Sequence, residues 1–272
     1  AGFELHIYAR TKSKVEDVIG EGAQFHESIK DCVQDCDAVI TIVGFPQDVE
    51  EVYFDQGNIL DSAKKGAYLI DMTTTSPQIA EKIYEEGTKR GFHVMDAPVT
   101  GGDTGAKAGT LSILVGGEKE DYEACMPLFE AMGTNINYQG KAGCGQHCKL
   151  ANQIMIAGTL SGVCEALTYA KEQGLDPEVF MKSVATGAAG SKQLDTFGPK
   201  ILKDDYAPGF FMKHFIKDMK LALIEANRKG LSLDVLSMVL ANYEELEQEG
   251  YGDLGTQALM KFYDEEHRNM EE

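Results

Sequence analysis

The chain has 272 residues, of which 43% are hydrophobic and 25% charged, and its formal net charge is −19 at pH 7. This length suits one large domain or two ordinary ones and is sufficient to bury a sizeable core. The negative charge argues against nucleic acid and anionic membranes as partners, because like charges repel. No apolar run reaches the roughly 18 residues of a membrane span, and the N-terminus lacks the features of a signal peptide. We therefore expect a soluble, cytoplasmic protein.

Short apolar runs alternate with helix-like stretches over residues 1–140. The strand-like runs are ELHIY, AVITIVG, AYLIDM, HVMDAPV and LSILVGG, and the helix-like stretches include VEDVIGEG, PQDVEEVYF and SPQIAEKIYEEGTKRG. Such alternation is typical of parallel strands connected by crossover helices. The first part of the chain is therefore predicted to be an α/β domain built on a parallel sheet.

Strand-like runs stop near residue 140, and residues 141–272 are predicted to form an all-helical domain. Helical periodicity covers residues 146–173, 177–184, 216–229 and 235–248. Gly174 and Gly230 are placed to end helices, whereas Asp176 and Pro177 form a typical helix start. The first helix is apolar nearly all round, so we predict that it is buried and joins the two domains. Its apolar residues are Leu150, Ile154, Met155, Ile156, Leu160, Val163 and Leu167.

The cysteines are scattered through the chain rather than concentrated in a small scaffold. They are Cys32, Cys36, Cys125, Cys144, Cys148 and Cys164. This distribution predicts reduced thiols. Two pairs have a four-residue spacing that a helix would bring to one face, but neither has a His and carboxylate set nearby. No metal site is therefore expected.

The segments that follow the apolar runs are the first places to look for a ligand site, because open α/β sheets bind ligands outside the carboxyl ends of their strands. These segments are residues 9–11, 44–46, 73–77 and 96–102, the last reading DAPVTGG. Gly101 and Gly102 would allow backbone N–H groups to approach an anion, and the Thr100 hydroxyl adds a donor. A tight turn without a ligand is the alternative interpretation.

The stretch GKAGCGQHCKLANQ, residues 140–153, opens the predicted apolar helix with polar groups. Lys149 and Asn152 are three residues apart, so they lie on the same face of a helix. Spacing alone leaves open a catalytic lysine and a solvated lysine at a helix start. His147 and Cys148 are interpreted as structural, because adjacent helical residues point about 100° apart.

Three motifs carry a resemblance to a known family. DAPVTGG, GKAGCGQHCKLANQ and FIKDMKLAL, residues 215–223, resemble in order and separation the signatures of the β-hydroxyacid dehydrogenases, which include 3-hydroxyisobutyrate and tartronate semialdehyde reductases. The match covers essentially the whole chain. The resemblance implies a Rossmann-type doubly wound sheet domain followed by an all-helical domain. It also implies an NADP or NAD cofactor and a small 3-hydroxy acid, or its semialdehyde, as substrate.

The resemblance also implies roles for individual residues. Lys149 matches the catalytic lysine of the family and Asn152 its partner, while Thr100, Gly101 and Gly102 match the cradle for the substrate carboxylate. The residues matched to cofactor binding are Arg10, Thr11, Phe45, Pro46, Thr74 and Lys217, the last of which belongs to a Lys-Asp motif near both cofactor and substrate.

The chemistry of hydride transfer is consistent with these roles. When a hydride moves between a hydroxyl-bearing carbon and nicotinamide, a proton must move to or from the oxygen. The Lys149 ammonium can donate that proton and stabilise the developing alkoxide, and the Asn152 amide can orient the substrate. A non-catalytic relative that serves assembly or ligand sensing is the second function class. A cofactor-dependent absorbance assay separates the two.

The chain departs from the family at its start. The family opens with a strand and a GxGxxG loop, whose glycines and helix N-terminus hold the cofactor pyrophosphate. Here the sequence begins AGFELHIYART, which resembles the end of the first helix leading into the second strand. We therefore expect one βα unit to be absent, the chain to be shorter than the working protein, and the strand before Arg10 to lack one neighbour.

Cofactor choice depends on the residues after that strand. NAD-selective folds place a carboxylate there for the ribose 2′-hydroxyl, whereas an arginine accommodates a 2′-phosphate. Residues 8–12 read YARTK and contain no carboxylate. Arg10, supported by Thr11 and Lys12, therefore favours NADP over NAD. A solvated arginine at a strand end is the alternative, and relatives with a similar arginine accept either cofactor.

Apolar residues on the two last predicted helices exceed what a short bundle needs for its own core. Together with the tendency of the family to dimerise or tetramerise through this domain, they predict a homodimer or homotetramer. The residues are Leu221, Leu223, Ile224, Val235, Leu236, Met238 and Val239.

Overall fold

The computed structural model describes residues 1–264, and the chain divides into two compact units, Ala1–Lys149 and Leu150–Glu272. The first unit carries all the named strands of the described chain. They are β1 His6–Ile7, β2 Gln24–Phe25, β3 Ala38–Thr41, β4 Tyr68–Asp71, β5 His93–Asp96, β6 Val99–Thr100, β7 Leu111–Gly117 and β8 Gly133–Gly140.

Helices follow most of these strands, as the alternation of the sequence predicted. They are α1 Glu16–Gly20, α2 Ile29–Val33, α3 Pro46–Phe54, α4 Ile59–Ser62, α5 Pro77–Lys89, α6 Gly102–Ala108, α7 Lys119–Ala124 and α8 Met126–Glu130. The two longest of them begin with proline after an extended residue, which suits a residue without an N–H group. In α5 the Ser76 hydroxyl accepts a hydrogen bond from the Gln78 N–H and caps the helix.

The main sheet has six strands in the order β3-β4-β5-β7-β6, with β8 on the other edge of β7. Strands β3, β4 and β5 are parallel, as expected, but β7 runs antiparallel to β5 and β6. The parallel sheet that the sequence predicts is therefore extended by antiparallel pairing at β7. Residues 101–110, which separate β6 from β7, are too few for the crossover that parallel neighbours require.

A separate two-stranded sheet contains β1 and β2. These strands pair in parallel through two residue pairs, His6 with Gln24 and Ile7 with Phe25. Within residues 1–264, β1 pairs with no strand other than β2. Strand β3 lies at one edge of the main sheet, and Ile42 just beyond the strand is 68% exposed.

Two apolar clusters cover the two faces of the main sheet. Leu69 and Val94 belong to one cluster, whereas their chain neighbours Ile70 and Met95 belong to the other. This division follows from the strand period, since successive side chains point to opposite faces. The first unit is therefore a doubly wound, Rossmann-type layer arrangement.

The second unit is helical throughout the part that the structure describes, apart from one isolated bridge between Phe211 and Gly255. The long helix α9, Cys144–Glu172, begins in the first unit and continues into the second. After it come α10 Pro177–Ala185, α11 Lys192–Ile201, α12 Met212–Arg228 and α13 Asp234–Gln248, followed by 3₁₀ segments Tyr251–Asp253 and Thr256–Tyr263. A single apolar cluster forms the core of this unit.

Helix α9 is less completely buried than its apolar sequence predicted. Leu160 and Leu167 lie in the core, but Met155 is 73% exposed and Tyr169 is also exposed. Contrary to our expectation, the helix is long and apolar enough to cross a membrane by length and composition. This is weak evidence for a span, because the core helix of a globular protein passes the same test.

Candidate active site

The carboxyl ends of β3, β4 and β5 lie side by side along one border of the main sheet, since these three strands are parallel. Phe45 and Pro46 follow β3, and Thr74 lies in the loop after β4. Val43 donates its N–H to Thr73 Oγ1 at 3.0 Å, which joins the first loop to the second. The structure therefore brings together the segments that carry three of the sequence-predicted cofactor residues.

Two buried carboxylates stand side by side at this edge. Asp71 ends β4 and Asp96 ends β5, and the two residues are opposite each other in the strand register. Thr41 Oγ1 and the Thr73 N–H donate to Asp71 Oδ1 at 2.9 and 3.1 Å. Among residues 1–264, Asp71 Oδ2 has no hydrogen-bond partner. Burial raises the pKa of Asp71 to about 6 against the donors that lower it.

Asp96 holds the start of the long helix α9. Its Oδ1 accepts the N–H of Gly143 and its Oδ2 accepts the N–H of Gln146, both at 2.8 Å. These N–H groups belong to the first turn of a helix, which has no internal partners for them. Burial raises the pKa of Asp96, although the two backbone donors act in the opposite direction.

The Gln146 side chain connects the same helix to the loop after β4. Its Nε2 donates to the Thr73 carbonyl oxygen at 2.7 Å, and its Oε1 accepts the Thr75 N–H at 3.0 Å. Gln146 is fully buried. Neither this residue nor Asp71 was predicted from the sequence as a site residue. A polar residue at the end of an apolar strand, and one in the polar opening of an apolar helix, are the signals that could have identified them.

Two glycines allow α9 to approach the sheet closely. A Cβ atom on Gly145 would lie 2.4 Å from the Leu114 carbonyl oxygen and 2.8 Å from Asp96 Oδ2. A Cβ atom on Gly116 would lie 2.6 Å from Asp96 Oδ1. Neither distance is compatible with a side chain, so these positions require glycine for close approach.

Lys149 lies four residues after Gly145 on α9 and is 7% exposed. This burial does not fit a lysine that is simply solvated at a helix start, which was the alternative interpretation of the sequence. Buried lysines are rare unless a partner or a function requires them. The helix that carries Lys149 is in turn positioned by Asp96 and Gln146 within the first unit.

In the second unit, Asn152 and Lys217 belong to one hydrogen-bonded series. Asn152 Nδ2 donates to Gln153 Oε1 at 2.8 Å, and Gln153 Nε2 donates to Asp218 Oδ2 at 2.7 Å. Lys217 Nζ lies 3.0 Å from Asp218 Oδ1, and Asp218 is 1% exposed. The Lys-Asp motif is therefore a buried ion pair connected through an amide to Asn152.

The Thr-Gly-Gly segment bridges a strand and a helix. Thr100 ends β6, Gly101 precedes α6 with φ of 133°, and Gly102 begins α6 with φ of 65°. Both values lie where residues other than glycine are strained. The two glycines are exposed and Thr100 is half-buried.

Arg10 follows β1 and contacts two carboxylates of α3. Its Nη2 donates to Asp48 Oδ1 and lies 3.7 Å from Glu51 Oε2. The hydrogen bond with Asp48 raises the pKa of Arg10 and lowers that of Asp48. Lys12 lies 3.9 Å from Glu27 instead. Residues 8–12 contain no carboxylate, and these two were not predicted because they come from a different element.

The donors at these strand ends fit the adenosine part of a dinucleotide. Arg10 and Thr11 offer a cation and a hydroxyl for a ribose or its phosphate, and Phe45 offers an apolar ring beside the loop after β4. No group of three or more His, Cys, Asp or Glu is arranged to hold a metal within the described part of the chain. All six cysteines are free thiols.

Two family models match the chain and together cover nearly all of it. Residues 1–140 match the NAD binding domain of 6-phosphogluconate dehydrogenase, and residues 143–263 match the NAD-binding domain of NADP-dependent 3-hydroxyisobutyrate dehydrogenase. The chain has a Rossmann-type sheet followed by a helical second part. Together with these two matches, this fold defines an NAD(P)-binding oxidoreductase.

Similar proteins narrow this class. The chain is 49% identical over 262 residues to the uncharacterized oxidoreductase YkwC of Bacillus subtilis (strain 168), covering 96% of this chain and 91% of the relative. It is 44% identical to the probable 3-hydroxyisobutyrate dehydrogenase-like 1, mitochondrial, of Arabidopsis thaliana, covering 96% and 78%. A solved structure of Mycobacterium tuberculosis 3-hydroxyisobutyrate dehydrogenase with L-serine superposes with a TM-score of 0.87 at 25% identity, covering 96% and 90%. The chain belongs to the β-hydroxyacid dehydrogenase family, whose members are NAD(P)-dependent hydroxyacid dehydrogenases.

Proposed function

We propose that this chain transfers a hydride between NAD(P) and a small 3-hydroxy acid or its semialdehyde, with Lys149 as general acid and base. The observation that carries the proposal is the burial of Lys149 on a helix start that Asp96 and Gln146 hold in place. Catalytic groups are effective when their supporting contacts leave them little freedom. A lysine held in this way meets that requirement.

The proton and the hydride leave the substrate separately in the oxidative direction. A bound nicotinamide would supply the acceptor for the hydride of the hydroxyl-bearing carbon. The neutral Lys149 amine takes the hydroxyl proton, so that a carbonyl forms as the C–H and O–H bonds break. In the reductive direction, the Lys149 ammonium returns the proton to the carbonyl oxygen and stabilises the negative charge that develops there.

Other residues orient the substrate in this proposal. The Asn152 amide shares a helix face with Lys149 and hydrogen-bonds the reacting oxygen. Thr100, Gly101 and Gly102 receive the substrate carboxylate, since exposed backbone N–H groups of left-handed glycines bind anions. Lys217 contributes a positive charge that Asp218 holds in position.

The adenosine end of the cofactor is assigned to Arg10, Thr11, Phe45, Pro46 and Thr74. An arginine at the end of this strand pairs with a 2′-phosphate, so NADP is the preferred cofactor. Because the Arg10 guanidinium also contacts the carboxylates of Asp48 and Glu51, the protein accepts NAD as a cofactor as well.

An absorbance assay of reduced nicotinamide tests the function. A panel of short 3-hydroxy acids and their semialdehydes is offered with NADP and with NAD, and kcat/KM is compared. We expect turnover of at least one 3-hydroxy acid, with the larger kcat/KM for NADP. Binding of the dinucleotide without turnover of any substrate would overturn the proposal and favour a non-catalytic relative. A larger kcat/KM for NAD would overturn the cofactor preference alone.

We also propose that the protein forms a homodimer or homotetramer through its helical unit. Leu236 and Val239 are buried in the core of their own unit, but Ile224, Val235 and Met238 are exposed. Light scattering at micromolar concentration should give more than one chain per particle, and Met238→Lys should reduce that mass. A monomeric wild-type protein would contradict this proposal.

A further inference from the structure

The electrostatic setting of Arg10 is unusual for a residue that binds a 2′-phosphate. Its guanidinium contacts the carboxylates of Asp48 and Glu51, so the three side chains together carry a net charge of −1. The neighbouring cation Lys12 lies beside Glu27 and over the Phe25 ring rather than beside Arg10. A phosphate dianion that approaches Arg10 therefore meets a cluster with excess negative charge.

Asp48 has two separate contacts. Its Oδ2 accepts the Phe45 N–H at 2.9 Å and caps the start of α3, while its Oδ1 accepts from Arg10. Because the cap fixes the carboxylate, Asp48 cannot easily rotate away when a ligand arrives. Glu51 is one turn further along α3, lies 3.7 Å from Arg10, and has an exposed side chain.

We infer that Asp48 is a specificity-determining residue that competes with the 2′-phosphate for Arg10 and thereby reduces the preference for NADP over NAD. This inference rests on the proposed role of Arg10 in cofactor binding. The Nη2 atom of Arg10 already donates to Asp48, so a phosphate that uses this atom in a bidentate pair must displace or share the Asp48 contact. The ribose 2′-hydroxyl of NAD meets no such penalty, because it is neutral and can donate to a carboxylate.

The strength of the effect follows from the exposure of the pair. The Arg10 side chain is 57% exposed, so water screens the interaction. An exposed ion pair contributes little free energy, and this small contribution changes an equilibrium constant by about two- to fivefold. We therefore expect Asp48 to shift the cofactor preference by about two- to fivefold.

The experiment measures binding of two nucleotide fragments to the full chain by titration calorimetry. The probes are 2′,5′-ADP, which carries the 2′-phosphate, and 5′-AMP, which does not. The Asp48→Asn variant removes the competing charge but retains an oxygen that can cap α3. We expect it to raise the affinity for 2′,5′-ADP relative to 5′-AMP by about two- to fivefold. Glu51→Gln should change the ratio in the same direction, by less.

Glu50→Gln is the matched control. It removes one negative charge from the same helix, but Glu50 pairs with Lys82 at 3.0 Å and not with Arg10. We expect no change in the ratio from this variant. In an Arg10→Ala background, Asp48→Asn should also leave the affinity ratio unchanged, because the guanidinium for which Asp48 competes is then absent. Thermal melting reports whether the cap survives, and Glu51→Gln provides the test if Asp48→Asn does not fold.

The results separate this inference from the proposed function, because fragment binding requires no turnover. An unchanged ratio in both Asp48→Asn and Glu51→Gln, or an equal change in Glu50→Gln, would overturn the inference. An Arg10→Ala variant that binds 2′,5′-ADP as well as the wild type would overturn it too. A ratio that shifts as expected, in a protein that turns over no hydroxy acid, would support the inference and reject the proposed function.

Discussion

Each unit contains a buried carboxylate, Asp96 in the first and Asp218 in the second, and the hydrogen-bonding needs of the two are met in different ways. Asp96 of the first unit accepts only neutral backbone donors, from Gly143 and Gln146. Asp218 of the second unit accepts from the Gln153 amide and pairs with the Lys217 ammonium. Both carboxylates are almost completely buried.

The difference shows which groups each carboxylate positions, backbone in one unit and side chains in the other. Asp96 fixes backbone, and so determines where helix α9 begins. Asp218 fixes side chains, and so determines where the Lys217 charge and the Gln153 amide lie. Burial raises the pKa of Asp96 because the charged carboxylate loses its hydration, and the neutral backbone donors act in the opposite direction. A direct cation balances the charge of Asp218.

Lys149 lies between these two systems along α9, and its replacement should affect chemistry without affecting either. We expect Lys149→Ala to lower kcat by about 10² or more, since a positioned acid–base group contributes on that order. Cofactor affinity and the melting temperature should change little. Lys171→Ala, at the far end of the same helix, is the control. Wild-type turnover in Lys149→Ala would remove this residue from the mechanism.

Breaking the ion pair of the second unit should reduce stability. Asp218→Asn leaves the Lys217 ammonium without the opposite charge, and the loss of one partner of a buried pair costs about 3 kcal/mol. Urea unfolding measures this change. Glu244→Gln breaks an exposed pair with Lys220 and should cost less than about 1 kcal/mol. Equal losses in the two variants would contradict the comparison.

The burial of Asp71 in the first unit should make the stability of the protein depend on pH. The pKa of Asp71 is raised from 3.8 to about 6, so the native state retains a proton that the unfolded state releases. The protonated Asp71 therefore makes a contribution to the free energy of unfolding that is fully present below pH 4 and is lost as the pH rises through about 6. In Asp71→Asn this loss is absent.

The stability of Asp71→Asn relative to the wild type should therefore rise by about 2 kcal/mol between pH 4 and pH 7. Urea unfolding at several pH values measures the difference. Asp103→Asn, which affects an exposed pair with Lys107, should give a constant difference across the same range. A constant difference for Asp71→Asn as well would show that Asp71 does not titrate in this window.

The fold could be predicted where local pattern and tertiary structure agree. Helix α3 begins and ends where PQDVEEVYF does, and α13 differs from the predicted range by one residue. Helix α11 was missed because Gly198 and Pro199 lie inside it and interrupt its helical signal. Strand β2 was missed because two residues cannot show an alternating pattern.

The site could be predicted only as far as its motifs extend. Lys149, Asn152 and the Thr-Gly-Gly segment were identified because each lies within a short recognisable stretch. The Gln146 contact with Thr73 joins residues 73 positions apart, and the Arg10 contact with Asp48 joins residues 38 positions apart. Neither partner can be deduced from local sequence, because only the folded sheet brings the two elements together.

The two-stranded sheet of β1 and β2, whose strands lie before and after Arg10 in the chain, has a consequence for the dynamics of the first unit. It is held by two residue pairs, and an isolated pair of strands is marginally stable in water. Local opening there requires much less free energy than opening of the main sheet, so the amide protons of Gln24 and His26, which bond to Leu5 and Ile7, should exchange with solvent early. A ligand held by Arg10 would slow that exchange. The proposed binding of the cofactor by Arg10 would thus be coupled to local folding of this sheet.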